Sequence, residues 1–364
     1  MTIFASADFD GHEAVHAFYD RATGLQGFVA LHSTALGPAF GGCRMWAYDS
    51  EDAALGDALR LSRGMSYKNA LAELPYGGGK AVIMADGRRV RSPALFEAFG
   101  RVVDSLGGRY ITAEDVGTSV EDMRVVARMT AHVSGIATGA DGGVGGDPSP
   151  KTAYGVLQGM RAAVEMAFGR DGLDGLTVAV QGVGHVGFHL CRLLHEAGAH
   201  LVVADVAAEN TARAAEAFGA RIVAPDAILA EDADVLAPCA LGGVLDAKSI
   251  PELKASVIAG AANNQLATDD DGRRLLERGI VYAPDYAINA GGIIAVAAEH
   301  EGETDSAAVH ARIGRIYART MAILERARAE GRPPHEVADI MARERMQLAP
   351  QAELVREAVL SDTH

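Results

Sequence analysis

The sequence is short of cysteine, has no excess of positive charge and contains no long apolar run. Its three cysteines, Cys43, Cys191 and Cys239, are scattered and include no CxxC pair. This argues against a disulfide framework and a zinc module, and it fits a reducing compartment. With 33 lysines and arginines against 48 aspartates and glutamates, the formal net charge is −15. Because no basic stripe balances this charge, a nucleic-acid partner is not expected.

Segments that would direct the chain to a membrane are also missing. Residues 1–8 have neither the basic start nor the apolar core of a signal peptide. The most apolar later stretch, at 288–298, is too short to span a bilayer. We therefore expect a cytoplasmic protein without a membrane partner.

The apolar pattern changes along the chain. Residues 13–32 alternate around Ala22-Thr23-Gly24, which predicts a β-hairpin. Helical spacing covers 51–65, and a second helix is predicted to begin at Ser92-Pro93. From residue 177 onward, short apolar runs alternate with helical stretches, which predicts a parallel, doubly wound sheet. These runs are 177–180, 201–204, 235–236, 257–259 and 280–282.

The sequence thus predicts an α/β protein of two domains separated by a cleft. We expect an N-terminal α/β substrate domain at 1–140 and a Rossmann-type dinucleotide-binding domain at 150–330. The glycine- and proline-rich segment 139–150 is the predicted boundary between them. A C-terminal helix at about 335–364 is expected to pack back on the first domain.

A glycine-rich motif indicates a nucleotide site in the second half of the chain. It reads Gly182-Val183-Gly184-His185-Val186-Gly187, follows the apolar run at 177–180 and precedes a helical pattern. In this context a GxGxxG motif binds pyrophosphate at a helix N-terminus. Asp205 ends the next predicted strand, where a carboxylate would bind the ribose 2′-hydroxyl. With no lysine or arginine until Arg213, NAD is favoured over NADP.

Two lysines and a carboxylate indicate chemistry in the first half. Lys80 ends the segment Tyr76-Gly77-Gly78-Gly79-Lys80, interpreted as a glycine turn, and Lys68 lies upstream of it. Burial lowers the pKa of a lysine toward the range useful in acid–base catalysis. Asp115 adds a carboxylate. Together with a nicotinamide site, these residues suggest amino-acid oxidation.

The segment His12-Glu13-Ala14-Val15-His16 spells HExxH, the metalloprotease motif. That motif needs a helix, because only a helix brings both histidines to one zinc. Here it begins the alternating run of the predicted hairpin, where the histidines would lie about 13 Å apart. No metal site is therefore expected.

Several further motifs follow one another along the chain. In order they are Gly41-Gly42-Cys43-Arg44-Met45-Trp46, Gly64-Met65-Ser66-Tyr67-Lys68-Asn69, Gly77-Gly78-Gly79-Lys80, Pro238-Cys239-Ala240-Leu241-Gly242, Gly260-Ala261-Ala262-Asn263-Asn264-Gln265 and Tyr282-Ala283-Pro284-Asp285-Tyr286. Together they resemble the motifs of the glutamate/leucine/phenylalanine/valine dehydrogenase family, over about residues 13–347.

The resemblance implies a role for each matching residue. Lys68 would bind the substrate α-carboxylate, Lys80 would activate the attacking water, and Asp115 would exchange a proton with the substrate amine. Asn263 would bridge nicotinamide ribose and substrate, and Cys239 and Ala240 would line the cofactor. The implied reaction is the reversible, NAD-dependent conversion of an L-amino acid to a 2-oxo acid and ammonium. The resemblance also implies a homo-oligomer.

By the same match, the side-chain pocket is lined by Phe40, Gly41, Ala113, Ile293 and Val296. Phe40 and Val296 provide no cation or hydroxyl for a glutamate γ-carboxylate, which would be buried unpaired at a cost of several kcal/mol. We therefore expect an apolar substrate: leucine, valine or isoleucine. Phenylalanine is the alternative, and a non-catalytic nucleotide-binding protein is a further one, disfavoured because Lys68, Lys80, Asp115 and Asn263 are all present.

Three positions depart from the family pattern. Phe40 replaces a smaller aliphatic residue and is expected to shorten the pocket. Asp147 stands where an asparagine is common. The helix that includes Ala295 lacks an asparagine and an aspartate that relatives often carry.

Overall fold

The computed structural model describes residues 3–85, 91–136 and 144–347. The chain forms two compact units. The first unit comprises Met1–Gly146, Val296–Thr304 and Ala342–His364, and the second comprises Asp147–Ala295 and Asp305–Met341. Of the predicted boundary at 139–150 and the predicted helix at 335–364, residues 139–143 and 348–364 lie outside the described part.

The sheet of the first unit has mixed strand directions. Its strands are β1 Ala14–Tyr19, β2 Gln26–Ser33, β3 Ala39–Phe40, β4 Cys43–Trp46, β5 Gly77–Met84 and β6 Tyr110–Ile111, in the order β1-β2-β5-β3-β6 with β4 against β5. β1 pairs with β2 and β2 with β5 in antiparallel fashion, whereas β3 and β4 run parallel to β5. The predicted hairpin at 13–32 is confirmed.

Helices cover both faces of this sheet. They are α1 Glu51–Leu71, α2 Pro93–Ser105 and α3 Val120–Val126. Along β2, Phe28 and Ala30 pack with α1, whereas Val29 and Leu31 join the core formed by α2 and α3, as the two-residue period of a strand requires. Ser92 caps α2 as predicted. Helix α1 is longer than predicted because its last turn is also buried.

The interpretation of Gly77, Gly78 and Gly79 as a turn is wrong. They begin β5 in the middle of the sheet, and none has a positive φ angle. A Cβ on Gly78 would lie 2.0 Å from the Ser66 backbone nitrogen, and one on Gly77 would lie 1.9 Å from the Ser33 carbonyl oxygen. Glycine is required here because α1 and a neighbouring strand approach the backbone of β5.

The second unit contains a fully parallel sheet, so the α/β prediction is confirmed. Its strands are β7 Thr177–Gln181, β8 His200–Ala204, β9 Arg221–Ile222, β10 Val235–Pro238, β11 Val257–Ile258 and β12 Val281–Tyr282. The order β9-β8-β7-β10-β11-β12 is that of a Rossmann fold, whose ligand site lies where the strand order reverses, between β7 and β10. All five predicted runs are strands, and the exposed edge strand β9 was not predicted.

The remaining helices follow and connect these strands. They are α4 Ser149–Phe168, α5 His185–Glu196, α6 Ala208–Phe218, α7 Asp269–Glu277, α8 Asp285–Ile288, α9 Gly291–His300, α10 Ser306–Gly314, α11 Ile316–Glu330 and α12 Pro334–Met346, with short 3₁₀ helices at Ile3–Ala5, Ile228–Ala230 and Ile250–Glu252. Near the end of α12, Arg343 forms an ion pair of 2.9 Å with Asp10. Within the described residues, none of the helices combines the length and apolarity needed to cross a membrane.

Candidate active site

Lys80 and Asp115 form an ion pair in the first unit, in which Lys80 is buried and Asp115 is half-buried. The Lys80 Nζ lies 2.9 Å from Asp115 Oδ2, and Arg44 Nε lies 3.0 Å from the same oxygen. Lys80 is held by the central strand β5 and Arg44 by the adjacent β4. One carboxylate therefore lies between two cations contributed by neighbouring strands.

The loop that carries Asp115 is fixed by hydrogen bonds to β4. The Cys43 amide donates to the Ala113 carbonyl at 2.8 Å. The Thr118 hydroxyl accepts from the Asp115 amide at 3.0 Å and donates to the Cys43 carbonyl at 2.9 Å. Because these bonds leave the loop little freedom, the Asp115 carboxylate is preorganised beside Lys80.

The surroundings of Asp115 keep it ionised. Burial raises the pKa of this carboxyl, but Lys80 and then Arg44 lower it by more, so that the pKa lies below the ordinary value of 3.8. An ionised carboxylate beside a lysine is suited to accept a proton from an ammonium group and return it.

Arg44, Asp57 and Tyr48 extend this cluster and were not predicted as site residues. The Asp57 Oδ2 accepts from Arg44 at 3.0 Å and from the Tyr48 hydroxyl at 2.6 Å. Arg60 approaches the other oxygen of Asp57 at 2.5 Å. Arg44 lies within a motif that carried the family resemblance, which was the only signal for it in the sequence.

The structure places Lys68 in the last turn of α1, which packs against the strand that holds Lys80. The adjacent Asn69 anchors this turn, since its side-chain amide donates to the Gly77 carbonyl at 2.6 Å and to the Phe40 carbonyl at 3.3 Å. Helix α1 is thereby tied to β5 and β3 at the level of the proposed site.

Of the predicted pocket residues, Phe40, Gly41, Ala113 and Val296 belong to the first unit and Ile293 to the second. A Cβ placed on Gly135 would lie 3.8 Å from Val296 and 3.9 Å from Ala113, so these side chains face the same space. A Cβ on Gly41 would lie 1.9 Å from the Gly79 carbonyl oxygen. Gly41 therefore serves close backbone packing.

The glycine motif forms a tight turn between β7 and the start of α5. Gly182 follows β7 with a φ of +90°, and a Cβ on Gly187 would lie 2.1 Å from the Gly182 carbonyl oxygen. A Cβ on Gly184, the residue before α5, would meet no atom within 4 Å. Gly182 also lies close to Ala240, because a Cβ placed on Gly182 would lie 2.7 Å from the Ala240 Cβ.

Asp205 follows β8 and braces the motif. Its carboxylate accepts from the Val183 amide at 2.7 Å and from the Ala207 amide at 2.8 Å. Burial raises the pKa of Asp205, and these amide hydrogen bonds lower it by more. Asp205 is thus held as a carboxylate directly beside the glycine motif.

Asn263 lies in a loop after β11 that side chains of the second unit hold in place. The Asn289 side-chain amide donates to the Asn263 Oδ1 at 2.8 Å and to the Ala261 carbonyl at 3.1 Å. The Asp285 carboxylate accepts from the Asn264 amide at 2.8 Å and from the Tyr282 hydroxyl at 2.7 Å. Asn289 was not identified as a site residue from the sequence. Tyr282 and Asp285 were included there only as members of a motif that resembles the family.

The HExxH segment lies in a loop and strand β1, as expected. His12 Nε2 lies 2.9 Å from the Leu59 carbonyl oxygen and 3.0 Å from Ser62 Oγ, and burial lowers the pKa of His12 to about 4. His12 therefore acts as a neutral hydrogen-bonding group of the core.

Comparison with known proteins decides the family. Residues 12–132 match the model of the Glu/Leu/Phe/Val dehydrogenase dimerisation domain, and residues 203–353 match that of Glutamate/Leucine/Phenylalanine/Valine dehydrogenase. Leucine dehydrogenase of Bacillus subtilis (strain 168) is 50% identical, covering 95% of this chain and 94% of that protein. The chain belongs to the glutamate/leucine/phenylalanine/valine dehydrogenase family. As a member, it is an amino acid dehydrogenase.

Other members of the family are similarly related. Valine dehydrogenase of Streptomyces virginiae is 49% identical, with 95% of this chain and 96% of that protein covered. The crystal structure of L-tryptophan dehydrogenase from Nostoc punctiforme superposes with a TM-score of 0.82 at 43% identity, covering 93% and 96% of the two chains.

Membership of the family implies a nicotinamide dinucleotide, and the residues present fit one. The tight turn at Gly182, the open space at Gly184 and the start of α5 at His185 provide a backbone cradle at a helix N-terminus. Strands β7 and β10 bring this cradle beside Cys239 and Ala240, where the Cys239 amide donates to the Gln181 carbonyl at 2.7 Å.

Two of the departures from the family pattern have a structural explanation. Asp147 accepts from the Ser149 amide at 2.9 Å at the start of α4, a contact that an asparagine carbonyl could also make. Ala295 and the nearby Ala298 are almost fully buried, so apolar packing replaces polar groups in α9.

Proposed function

We propose that this enzyme catalyses the reversible, NAD-dependent oxidative deamination of leucine, valine or isoleucine to the 2-oxo acid and ammonium. The observation that carries this proposal is the contact of 2.9 Å between the buried Lys80 and the half-buried Asp115, in a unit that also buries Phe40 completely. Acid–base groups beside an apolar wall suit an amino acid with an apolar side chain.

Each charged residue of the candidate site in the first unit then has one role in the reaction. Lys68 holds the substrate α-carboxylate as a point charge. Asp115 takes a proton from the substrate ammonium group. Lys80, after its ammonium has released a proton to solvent, accepts a proton from the water that attacks the imine carbon and then returns it to the departing ammonia. Arg44 keeps Asp115 ionised and in position. The nicotinamide supplies the acceptor for the hydride, and Asn263, held by Asn289, orients nicotinamide ribose and substrate.

The preference for NAD rests on Asp205. A 2′-phosphate would meet the negative charge of this carboxylate, whereas a ribose hydroxyl could donate to it. Arg213, the first cation after Asp205 in the sequence, has its guanidinium 4.0 Å from the centroid of the Phe188 ring. We therefore assign NAD as the cofactor.

We further propose a homo-oligomer in the cytoplasm. The match of residues 12–132 to a dimerisation domain supports self-association. The acidic net charge and three free cysteines fit a reducing compartment. Size-exclusion chromatography with light scattering measures the assembly directly, and a monomer at micromolar concentration would contradict it.

An aromatic substrate is the second candidate, because one similar structure is that of a tryptophan dehydrogenase. The substrates to compare are therefore valine, isoleucine, leucine, phenylalanine, tryptophan and glutamate, each assayed for NADH formation with NAD and for NADPH formation with NADP. We expect kcat/KM to be highest for a branched-chain substrate with NAD. Glutamate or tryptophan as the best substrate, or no activity with any of them, would overturn the proposal.

A further inference from the structure

Three aromatic rings from separate segments of the first unit meet at Phe40, one of the residues predicted to line the side-chain pocket. Phe40 lies at the end of β3, Tyr76 directly before β5 and His300 at the end of α9. The Phe40 ring centroid lies 5.1 Å from that of Tyr76 and 5.8 Å from that of His300, with interplanar angles of 80° and 62°. Tyr76 and His300 themselves lie 6.2 Å apart at 73°.

These contacts hold the Phe40 ring from two sides. Edge-to-face pairs with centroids about 4.5–7 Å apart are favourable arrangements of aromatic rings. Phe40 has no exposed surface, and Tyr76 is 7% exposed. A rotation of the Phe40 side chain would therefore break both ring contacts inside a packed core.

His300 serves here as a neutral ring. Burial and then the nearby His132 lower the pKa of His300, and the opposing effects of Glu301 and Glu299 are smaller. At neutral pH its imidazole consequently packs against Phe40 without a charge.

The end of α9 joins this cluster to the pocket. His300 lies four residues after Val296, so both face the same side of the helix. Val296 shares the space in front of Gly135 with Ala113. This end of the helix is anchored, because the Ser134 hydroxyl donates to the Val296 carbonyl at 2.9 Å and the Ile136 amide donates to the Glu299 carboxylate at 2.9 Å.

We propose that Tyr76 and His300 are positioning residues that set substrate specificity by fixing the Phe40 ring, so that the enzyme favours valine and isoleucine over leucine, and leucine over phenylalanine and tryptophan. This inference rests on the proposed function, in which Phe40 lines the substrate pocket. Tyr76 and His300 act through Phe40, without a contact of their own to the substrate.

A double-mutant cycle tests the inference through the ratio of kcat/KM for leucine to kcat/KM for valine. His300→Ala and Phe40→Leu should each raise this ratio about tenfold, as expected for one methylene group in an apolar pocket. In the Phe40→Leu background, His300→Ala should change it by less than about twofold, because the ring that His300 positions is gone. In His300→Ala alone, the kcat for valine should stay within about threefold of wild type, because His300 is proposed not to contact the substrate.

Two further variants separate positioning from general damage. His300→Phe restores a ring at this position and should return the ratio to that of the wild type. His310→Ala is the matched control: it removes a histidine that stacks on Tyr154 with centroids 3.8 Å apart in the second unit, and it should leave the ratio unchanged. Should His300→Ala fail to fold, Tyr76→Leu takes its place in the same cycle.

These experiments distinguish failure of the positioning role from failure of the proposed function. An enzyme that oxidises branched-chain amino acids, but in which the effects of His300→Ala and Phe40→Leu multiply independently, refutes the positioning role and leaves the proposed function intact. A wild type that prefers tryptophan or phenylalanine refutes the substrate assignment itself. A wild-type ratio in both His300→Ala and Tyr76→Leu also overturns the inference.

Discussion

In the first unit, the candidate site consists of side chains in contact: Lys80 and Arg44 both approach one oxygen of Asp115. In the second unit, the nucleotide site consists of backbone groups around Gly182 and Gly184, and side chains such as Asp205 brace the loops. The two sites should therefore respond differently to substitution. Loss of one partner in the first leaves a buried charge unpaired, whereas loss of one brace in the second loosens a loop that the strands still position.

The largest expected effect is that of Lys80→Ala. If Lys80 is the acid–base group, kcat should fall by about 10²–10⁴-fold, while NADH binding, which depends on the second unit, should survive. Stopped-flow turnover and fluorescence titration of NADH measure both in one protein. The exposed Lys248 provides the control Lys248→Ala, and near-normal turnover of Lys80→Ala would refute the assignment.

A large effect on stability is expected for Gly78→Ala. The added Cβ would lie 2.0 Å from the Ser66 nitrogen, and such backbone overlap should cost at least about 3 kcal/mol. The matched control is Gly64→Ala in α1, where a Cβ meets no atom within 4 Å. It should stabilise the protein by about 0.5–1 kcal/mol. Thermal unfolding compares them, and equal Tm values would contradict the packing argument.

A smaller effect is expected for Arg44→Gln, which removes one of the two cations that lower the pKa of Asp115. The pKa of Asp115 should rise, so the acid limb of kcat/KM should move to higher pH, and kcat/KM should fall about tenfold. The same ionised carboxylate stabilises the folded protein above pH 3.8 and loses this contribution as the pH falls further.

Arg60 provides the control for this prediction. It approaches Asp57 and forms no ion pair with Asp115 among the described residues, so Arg60→Gln should leave the acid limb almost unchanged. An equal shift in both variants would show that the effect is one of general charge and not of contact with Asp115.

The smallest effects belong to the second unit. Asp205→Ala should weaken NAD binding about tenfold and relax the discrimination against NADP, since it removes both the brace on Val183 and the negative charge. Asp205→Asn keeps an acceptor for the Val183 amide and should relax discrimination with less loss of NAD affinity. Steady-state kinetics with both cofactors measure the two effects, and an unchanged NAD to NADP ratio in both variants would exclude Asp205 as the selective group.

The comparison also explains what could be predicted from sequence. The hairpin at 13–32, the cap at Ser92 and five of the six strands of the second unit depend on local patterns and were predicted, whereas the short exposed edge strand β9 was not. Gly77–Gly79 gave a local signal for a turn, whereas the contacts that require glycine come from Ser33, Ser66 and Tyr110, which are distant in sequence. For the same reason, Arg44 could not be paired with Asp115 in advance, since 71 positions separate them.

The glycines of β5 also determine how the enzyme can be diversified in the laboratory. Substitutions at positions 77, 78 and 79 should not be tolerated, because an added Cβ at each position would lie within 3 Å of another atom. The start of the strand that carries Lys80 therefore cannot accept larger side chains. Saturation libraries that aim at new substrates should instead vary Tyr76 and His300, whose rings pack against Phe40.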